Sequence, residues 1–332
     1  MIVVTGGTGF VGREICRQLA SEGLAVRALA RTPPQQPLPA GVEFFPGDVT
    51  QPDTLRMAFR GAKAVIHTVG IIREHQVQTF DQIHVRGTAH IIAAAQAAGV
   101  PRYLHLSALG TRPEAASRYH QTKWAAEELV RSSGLAYTIF RPSLIYGKGD
   151  AFTNHLASLM RPPLSWLSGG FLPIPGGEDV ILQPVAVGEV AEAVVRSLGQ
   201  TLAVGQSFDL CGQPVSLKDL SLAIAHTMGR FPTWVEQPPD VILGMMPWLW
   251  LRASKPVLFP VPLKLCRIGA AVLERILPNP PLTTDQVTML EEGQCGEAAP
   301  AENLFGFHPA DLRQGLAAYL APQAGGREDH RA

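Results

Sequence analysis

Three side chains in the first half of the sequence could together transfer a proton to or from an oxygen atom. Tyr119 and Lys123 are four residues apart, a spacing that places both on one face of a helix. Ser107 directly follows an apolar stretch typical of a strand, so it could converge with them. A phenol acts as a general acid or base when a nearby ammonium lowers its pKa from about 10, and a serine hydroxyl can bind a carbonyl oxygen. The set suits hydride exchange between a carbonyl and an alcohol. The plainer alternative is a Tyr/Lys pair on a helix surface.

A glycine-rich turn at the start of the chain predicts the place of a bound dinucleotide. The β-branched and apolar residues 2–4 suit a buried strand, and residues 10–19 carry apolar side chains at helical spacing. The glycines between them form Gly6-x-x-Gly9-x-x-Gly12 or Gly7-x-Gly9-x-x-Gly12. Glycine lets backbone N–H groups approach a pyrophosphate, and the N-terminus of the helix that follows favours an anion. The strand, turn and helix in this order make the motif specific.

A basic residue follows the second predicted strand, at 25–30. In a dinucleotide fold, an acidic residue roughly 20 positions past the glycines binds the adenosine ribose of NAD. Here the residue after the strand is Arg31. A carboxylate would repel a 2′-phosphate, whereas a guanidinium pairs with it. Arg31 therefore favours NADP(H) over NAD(H), with Arg13 as a weaker second candidate. The alternative for Arg31 is a solvated arginine at a strand end.

The sustained alternation of strands and helices predicts an α/β fold with a doubly wound parallel sheet of the Rossmann type. Further predicted strands cover 42–45, 64–67, 103–106 and 136–140, and predicted helices cover 52–59, 80–98 and 117–132. From residue 151 the pattern changes: strands near 183–187 and 206–210 alternate with helices over 189–198 and 216–226. The polar, glycine-containing tail 323–332 is typical of disorder.

Composition narrows the function classes. The 28 basic and 28 acidic residues cancel, so no long-range field favours a nucleic-acid partner. The four cysteines show neither metal-ligand nor disulfide spacing, so we expect no metal site and reduced, mostly packed thiols. The first strand begins at residue 2, which leaves no basic leader segment. We therefore expect a cytoplasmic protein, with peripheral contact at the inner face of the membrane as an option.

Residues 240–277 form an unusually apolar segment. Its unbroken run, 241–251, is too short to span a bilayer, which needs about 20 residues. Two tryptophans and three basic residues suit an interfacial membrane anchor over 240–263: Trp248, Trp250, Lys255, Lys264 and Arg267. The alternative is a hydrophobic lid that packs on the core or lines an apolar substrate pocket. Both readings indicate lipid or a lipid-like substrate.

These motifs together resemble a short-chain dehydrogenase/reductase of the extended or atypical kind. The resemblance rests on the glycine turn, Asp48-Val49, Ser107, Tyr119-x-x-x-Lys123 and Arg141-Pro-Ser143, and it covers about residues 1–150. Finer features resemble bacterial relatives of the nucleotide-binding alpha-subcomplex subunit nine of respiratory complex I. Those features are 105–110, 117–119, 137–143 and 281–287. That branch carries an NADP(H) site. Its members include a structural complex I subunit, and similar proteins are linked to quinone biosynthesis.

The resemblance implies a domain division and a set of site residues. An NADP(H)-binding domain would cover 1–150, and a substrate or lid portion of small α+β character would cover 151–322. The pyrophosphate turn would contribute Gly6, Thr8, Gly9, Phe10, Val11 and Gly12. Arg31 would bind the 2′-phosphate, and Asp48 and Val49 the adenine. The ribose and nicotinamide would be lined by Thr68, Val69, Gly70, Lys123, Pro142, Ser143 and Leu144. Ser107, Tyr119 and Lys123 would be the catalytic set.

Two departures from the family pattern weaken one reading of the function. Extended members often carry an asparagine on the long central helix that relays protons through water to the lysine, whereas this chain has His84. The loop between Ser107 and Tyr119 does not match the longer loop of sugar-nucleotide epimerases. The first hypothesis is therefore an NADP(H)-dependent oxidoreductase on a small apolar, quinone- or isoprenoid-like substrate. The second is a non-catalytic NADPH-binding subunit or assembly factor of a membrane complex. Sugar-nucleotide epimerisation comes third.

Overall fold

The architecture was obtained as a computed structural model that describes residues 1–75, 77–161, 171–236, 257–293 and 295–321. The apolar run 241–251 and the tail 323–332 lie outside the described residues, so the predictions for them stay predictions. In the part of the chain that is described, no helix combines the length and apolarity needed to cross a bilayer.

A seven-stranded parallel sheet forms the centre of the fold. The strands along the chain are β1 (Ile2–Thr5), β2 (Val26–Ala30), β3 (Val42–Pro46), β4 (Ala64–His67), β5 (Arg102–Leu106), β6 (Ala136–Pro142), β7 (Ile145–Tyr146), β8 (Phe171–Pro175), β9 (Ile181–Leu182), β10 (Val185–Ala186), β11 (Gln206–Leu210), β12 (Val215–Ser216), β13 (Thr233–Trp234) and β14 (Val257–Val261). The sheet has the order β11-β6-β5-β4-β1-β2-β3, and all its neighbours run parallel. The strand order reverses between β1 and β4, where doubly wound sheets bind their ligands.

Helices cover both faces of this sheet. The α-helices of the described residues, in chain order, are α1 (Phe10–Ser21), α2 (Gly87–Ala97), α3 (Arg118–Ser132), α4 (Phe152–Leu159), α5 (Val187–Ser197), α6 (Leu217–Thr227), α7 (Leu263–Ile276), α8 (Thr284–Glu292), α9 (Ala299–Phe305) and α10 (Leu312–Leu320). Side chains alternate between two cores because successive strand residues point to opposite faces. Val4 packs with α1 and α5 on one face, whereas Val3 packs with α2 and α3 on the other. The predicted doubly wound α/β fold is confirmed.

Two local predictions were wrong in detail. The segment 52–59 forms only a short 3₁₀ turn at Pro52–Thr54, followed by turns that still bury Leu55 and Phe59. Eight residues are too few for a stable isolated helix, so packing of the apolar side chains decides the backbone here. The strand predicted near 206–210 does form, but as β11 it joins the central sheet beside β6 rather than a lid.

The chain folds into two compact units that alternate along the sequence. The first comprises the described residues of 1–145, 181–214 and 263–309 and contains the seven-stranded sheet. The second comprises those of 146–180, 215–262 and 310–321, with a parallel three-stranded sheet β13-β14-β8. Within the second unit, the Asp150 carboxylate accepts hydrogen bonds from the backbone N–H and hydroxyl of Thr153. The division at residue 150 remains a prediction.

Candidate active site at the carboxyl edge of the sheet

The turn between β1 and α1 has a backbone that only glycine can form. Gly6 has φ of +75°, and its N–H donates to the Leu29 carbonyl at 2.8 Å. A Cβ on Gly12 would collide with the Gly6 carbonyl oxygen, and one on Gly7 would lie 2.7 Å from the Ala28 Cβ. Gly9 precedes α1 as its N-cap, so no side chain caps this helix and no acid occupies its first turn. The helix N-terminus is thus presented over a flat backbone, as an anion site requires.

The other predicted residues of this turn surround the helix start. Thr8, Phe10 and Val11 are half-buried, and Val11 packs against the core on the α1 face. Arg13 does not point freely into solvent, because its guanidinium donates to the backbone carbonyls of Gln36, at 3.3 Å, and Pro37.

The residues predicted to contact the adenosine end lie after β2 and β3. Arg31 is exposed, and its guanidinium donates to the side-chain oxygen of Gln78. The Asp48 carboxylate accepts from the backbone N–H and the hydroxyl of Thr50, both at 2.8 Å. Val49 is buried, and its side chain lies 3.0 Å from where a Cβ on Gly87 would be. Of the three residues predicted to contact the adenosine end, Arg31 is therefore the one whose charged group is exposed to solvent.

The segment after β4 brings the glycine turn close to α3. The Thr68 hydroxyl donates to the Thr5 carbonyl at 2.7 Å, and a Cβ on Gly6 would meet the Thr68 Oγ1 at 2.8 Å. Val69, half-buried, packs against the core on the α2 face. A Cβ on Gly70 would lie 3.2 Å from the Lys123 Nζ. The glycine at 70 therefore leaves room beside the lysine ammonium.

Lys123 is a buried cation on α3. Its Nζ donates to the Leu106 carbonyl at 3.0 Å. Burial lowers the pKa of Lys123 to about 8, against the opposing effect of the Glu127 carboxylate. The ammonium form is therefore retained at neutral pH but is costly to bury.

Tyr119 lies one turn earlier on the same helix and is also buried. Burial raises its pKa to about 12, so the lowering of the phenol pKa by a nearby ammonium, which the sequence indicated, is not observed. The ring packs edge-on against Phe80 and His84, with centroid distances of 5.8 and 5.4 Å. Its phenol thus keeps its proton at neutral pH, which suits a general acid better than a base.

Two buried hydroxyls lie at the ends of the neighbouring strands. The Ser107 and Ser143 Oγ atoms have no hydrogen-bond partner among the described residues. Their backbones are fixed, since the Ser107 N–H donates to the Phe140 carbonyl at 2.7 Å and the Ser143 N–H to the Leu210 carbonyl at 2.9 Å. Pro142 is buried, and the Leu144 carbonyl accepts from the Val185 N–H at 3.0 Å. Both hydroxyls therefore remain available to a ligand.

His84 connects the loop after β4 to α3. Its Nδ1 lies 3.0 Å from the Thr122 Oγ1, and its Nε2 lies 3.1 Å from both the backbone nitrogen and the carbonyl oxygen of Ile71. Burial and the nearby Lys123 lower the pKa of His84 to about 2, so the ring is neutral. His84 thus holds the loop beside Gly70.

Two carboxylates from the C-terminal part of the first unit fix the start of α3, and sequence reasoning missed both. Asp285 accepts from the backbone N–H groups of Arg118 and Tyr119 at 2.7 and 3.2 Å. Glu292 accepts from the N–H of Ala116 at 2.6 Å and from the Arg112 guanidinium at 2.8 Å. Asp285 belongs to the stretch 281–287 that carried the family resemblance, and this was the available signal.

A buried ion-pair network fixes the middle of α3. Glu127 is fully buried and pairs with Arg141 on β6 and Arg131 on α3, both at 2.6 Å. Arg131 also lies over the Trp124 ring at 4.7 Å. Removing one member of such a network leaves an uncompensated charge, so the register of α3 on the sheet is strongly held.

The residues at this edge fit a dinucleotide. The glycine-rich turn, the uncapped start of α1, the two buried hydroxyls and the Lys123 ammonium occur along one edge of the sheet. The turn and the helix start supply a place for a pyrophosphate. The two hydroxyls supply hydrogen bonds for a polar ring or carbonyl, and the ammonium supplies a cation for a ribose.

A cleft of about 840 Å³ opens beside the start of α3. It is lined by side chains of mixed character, among them Arg73, Phe80, Arg118, Arg267, Leu277 and Asp285. Phe80 therefore contacts both this cleft and the Tyr119 ring.

Comparison with known proteins identifies the family. A family model described as NAD(P)H-binding matches residues 6–157. The ceramide reductase of Caulobacter vibrioides is 30% identical over 246 residues, which are 73% of this chain and 75% of that protein. The chain therefore belongs to the short-chain dehydrogenase/reductase family, of the extended or atypical kind. This is an oxidoreductase-type family with an NAD(P)H-binding Rossmann domain.

Two further similarities extend this result. The chain is 29% identical to the mitochondrial NADH dehydrogenase [ubiquinone] 1 alpha subcomplex subunit 9 of Arabidopsis thaliana over 274 residues, covering 78% of this chain and 65% of that protein. A nucleoside-diphosphate-sugar epimerase structure from Staphylococcus aureus superposes with a TM-score of 0.70 at 16% identity, covering 95% of this chain and 99% of that one. The likeness to the epimerase shows the fold alone. The predicted resemblance to the complex I branch is confirmed.

Proposed function

We propose that the protein is an NADP(H)-dependent reductase that converts a carbonyl group of a lipid-like substrate to an alcohol. The observation that carries this proposal is the pair on α3. A phenol whose pKa is raised to about 12 lies one helical turn from a buried ammonium whose Nζ contacts the Leu106 carbonyl, directly before Ser107. A protonated phenol next to a cation is the arrangement needed to protonate a carbonyl oxygen as it becomes an alkoxide.

The roles of the residues follow from their chemistry. When bound, NADPH supplies the hydride for the carbonyl carbon. The Tyr119 hydroxyl gives its proton to the carbonyl oxygen, so the substrate leaves as an alcohol and a phenolate remains. The Ser107 hydroxyl, which is otherwise unpartnered among the described residues, donates a hydrogen bond to the same oxygen. The Lys123 ammonium stabilises the phenolate until a proton from solvent replaces the one transferred.

The preference for NADP(H) over NAD(H) rests on Arg31. Its guanidinium is exposed after β2, at the place where NAD-specific members of such folds use an acid. A 2′-phosphate would pair with the guanidinium in a charge-assisted, bidentate contact.

The substrate class is supported by one relative and by the cleft. The relative from Caulobacter vibrioides is named a ceramide reductase, and a ceramide is an amphiphilic lipid. The cleft beside Tyr119 combines the apolar side chains of Phe80 and Leu277 with the guanidinium groups of Arg73 and Arg118. This mixture suits a lipid with a polar head better than the quinone- or isoprenoid-like carbonyl or alcohol that the sequence indicated.

The proposal is tested by NADPH oxidation against a panel of carbonyl-bearing lipids. Purified protein is mixed with NADPH or NADH and with long-chain 3-keto lipids, quinones and prenyl aldehydes, and absorbance is followed at the nicotinamide band. We expect oxidation of NADPH only with an amphiphilic ketone, with formation of the matching alcohol. Tight NADPH binding without oxidation by any lipid of the panel would contradict the proposal.

A second function, a non-catalytic NADPH-binding subunit of a membrane complex, is favoured by the similarity to the complex I subunit. In that case the nucleotide would stabilise the fold by binding the native state alone. Tyr119→Phe would then leave the function in cells intact, whereas Gly12→Ala, which disrupts the turn, would abolish it. A reductase predicts that both variants lose function.

A further inference from the structure

One face of α7 exposes a continuous stripe of aliphatic side chains. Leu265, Ile268, Val272 and Ile276 recur at intervals of three or four, which places them along one line of the helix. Each is between 49% and 69% exposed, although apolar side chains of this size are normally buried in helices of this amphipathic pattern. The opposite side of α7 buries Ala270 and packs against α8. The stripe is therefore the unpartnered face of a helix whose other face is already used.

Basic side chains border the stripe on one edge. With 100° per residue, Lys264 and Arg275 fall beside Ile268 on the same edge, and both are exposed. Among the described residues neither forms an ion pair, unlike Arg267 on the far side of the helix, which pairs with Glu291. An aliphatic stripe with a cationic edge is the pattern of a helix that lies in a membrane interface and contacts anionic headgroups.

The position of α7 in the chain and in the first unit agrees with this pattern. The sequence just before β14 and α7 contains the apolar run 241–251 with Trp248 and Trp250, residues that favour the interfacial region of a bilayer. The inner side of α7 contributes Arg267 and Ala271 to the 840 Å³ cleft beside the start of α3. One helix thus borders the cleft with one face and carries the stripe on another.

We propose that this stripe docks on the surface of a bilayer that contains anionic lipids. A second copy of the chain fits the stripe less well. An antiparallel two-fold pairing would bring the Lys264 and Arg275 edges of both copies together, and like charges at such a contact are destabilising. The proposal concerns binding to a surface and does not depend on the reductase activity.

The test is co-sedimentation of the full chain with vesicles of phosphatidylcholine containing phosphatidylglycerol, compared with phosphatidylcholine alone. The double substitution Ile268→Glu with Val272→Glu removes the centre of the stripe, and Leu202→Glu is the matched control, since Leu202 is a strongly exposed aliphatic residue outside α7. We expect wild type and the control to bind the anionic vesicles, and the double variant to lose about tenfold or more in affinity.

A charge-reversal variant gives an independent readout. Lys264→Glu with Arg275→Glu keeps the stripe and should abolish the preference for anionic vesicles, with weaker binding at low salt. Circular dichroism and thermal unfolding confirm that each variant is folded. Equal vesicle binding by wild type and the Ile268/Val272 variant would overturn the proposal and assign any binding to 237–256. A wild-type dimer that this variant converts to a monomer, without vesicle binding, would overturn it in favour of self-association.

Discussion

The Asp285 carboxylate accepts a hydrogen bond from the backbone N–H of Tyr119 at 3.2 Å, although 166 residues separate the two in the chain. The same carboxylate accepts from Arg118, so it satisfies two of the N–H groups that the first turn of any helix leaves without a partner. A carboxylate at this end also interacts favourably with the helix dipole. The position of the proposed acid therefore depends on a residue from the C-terminal part of the first unit.

Replacing Asp285 should impair both stability and turnover. We expect Asp285→Ala to lower the free energy of unfolding by about 1–2 kcal/mol, the usual cost of losing such a cap, and to lower kcat more than it raises KM. Asp285→Asn should recover part of both losses. Urea unfolding and steady-state kinetics measure the two effects. Glu291→Ala, which removes a partly exposed partner of Arg267, is the control and should change little.

The buried ammonium of Lys123 should be needed for turnover but should lower the stability of the folded protein. Its folded pKa of about 8 lies below its usual 10.5, so burying the ammonium disfavours the folded state at neutral pH. We expect Lys123→Met to raise the free energy of unfolding at pH 7 by about 1–3 kcal/mol while abolishing turnover. Guanidinium unfolding of both proteins is the measurement. A variant less stable than wild type at pH 7 would show that the ammonium contributes net stabilisation.

The pH dependence of the stability difference between wild type and Lys123→Met tests independently whether the buried ammonium is destabilising. Between pH 8 and pH 10.5 the unfolded chain holds a proton on Lys123 that the folded chain has lost. The contribution of Lys123 to the free energy of unfolding therefore rises with pH across this window, and the advantage of Lys123→Met shrinks to nothing near its upper end. A stability difference that stays constant from pH 7 to pH 10.5 would contradict the lowered pKa.

The glycine turn predicts a sharp positional effect. Gly12→Ala places a methyl group against the Gly6 carbonyl, which is backbone and cannot rotate away. We expect this variant to lose NADPH binding and to unfold at lower temperature. Gly199→Ala is the control, because no atom lies within 4 Å of its added Cβ and its φ is not positive. Isothermal titration and thermal unfolding of both variants separate the turn from a general effect of substituting glycine.

Arg31 should discriminate between the two nicotinamide cofactors. We expect Arg31→Ala to weaken NADPH binding by about 10- to 100-fold, the range for losing charge-assisted hydrogen bonds, and to leave NADH binding within about twofold. Fluorescence titration with both cofactors measures this, with Arg60→Ala as an exposed arginine control. Equal losses for NADPH and NADH would rule out a 2′-phosphate contact.

The parts of the fold that the sequence predicted are those set by local chemistry. β1, the glycine turn and α1 follow from β-branched residues, missing Cβ atoms and helical spacing over about twenty residues, as does the pairing of Tyr119 and Lys123 on one helix. The short turn at 52–54 could not be predicted, because the same apolar spacing is satisfied by turns that bury Leu55 and Phe59.

What the sequence did not reveal depends on contacts between distant segments. Neither the capping of α3 by Asp285 and Glu292 nor the pairing of β11 with β6 has a local signature, because each joins segments more than sixty residues apart. His84 illustrates the same limit. Its spacing showed a helical residue, whereas its hydrogen bonds to Ile71 and Thr122 are set by where the loop after β4 runs.

The most direct test of the proposed chemistry compares Tyr119→Phe with Tyr137→Phe. Tyr137 lies on β6 and serves as the control. For each protein, the dissociation constant of NADPH and the kcat for reduction of an amphiphilic ketone are measured. If Tyr119 is the proton donor, its variant binds NADPH as wild type does but loses about 10²–10⁴-fold in kcat, while Tyr137→Phe retains both. Undiminished kcat in Tyr119→Phe would contradict the role of Tyr119 as the acid.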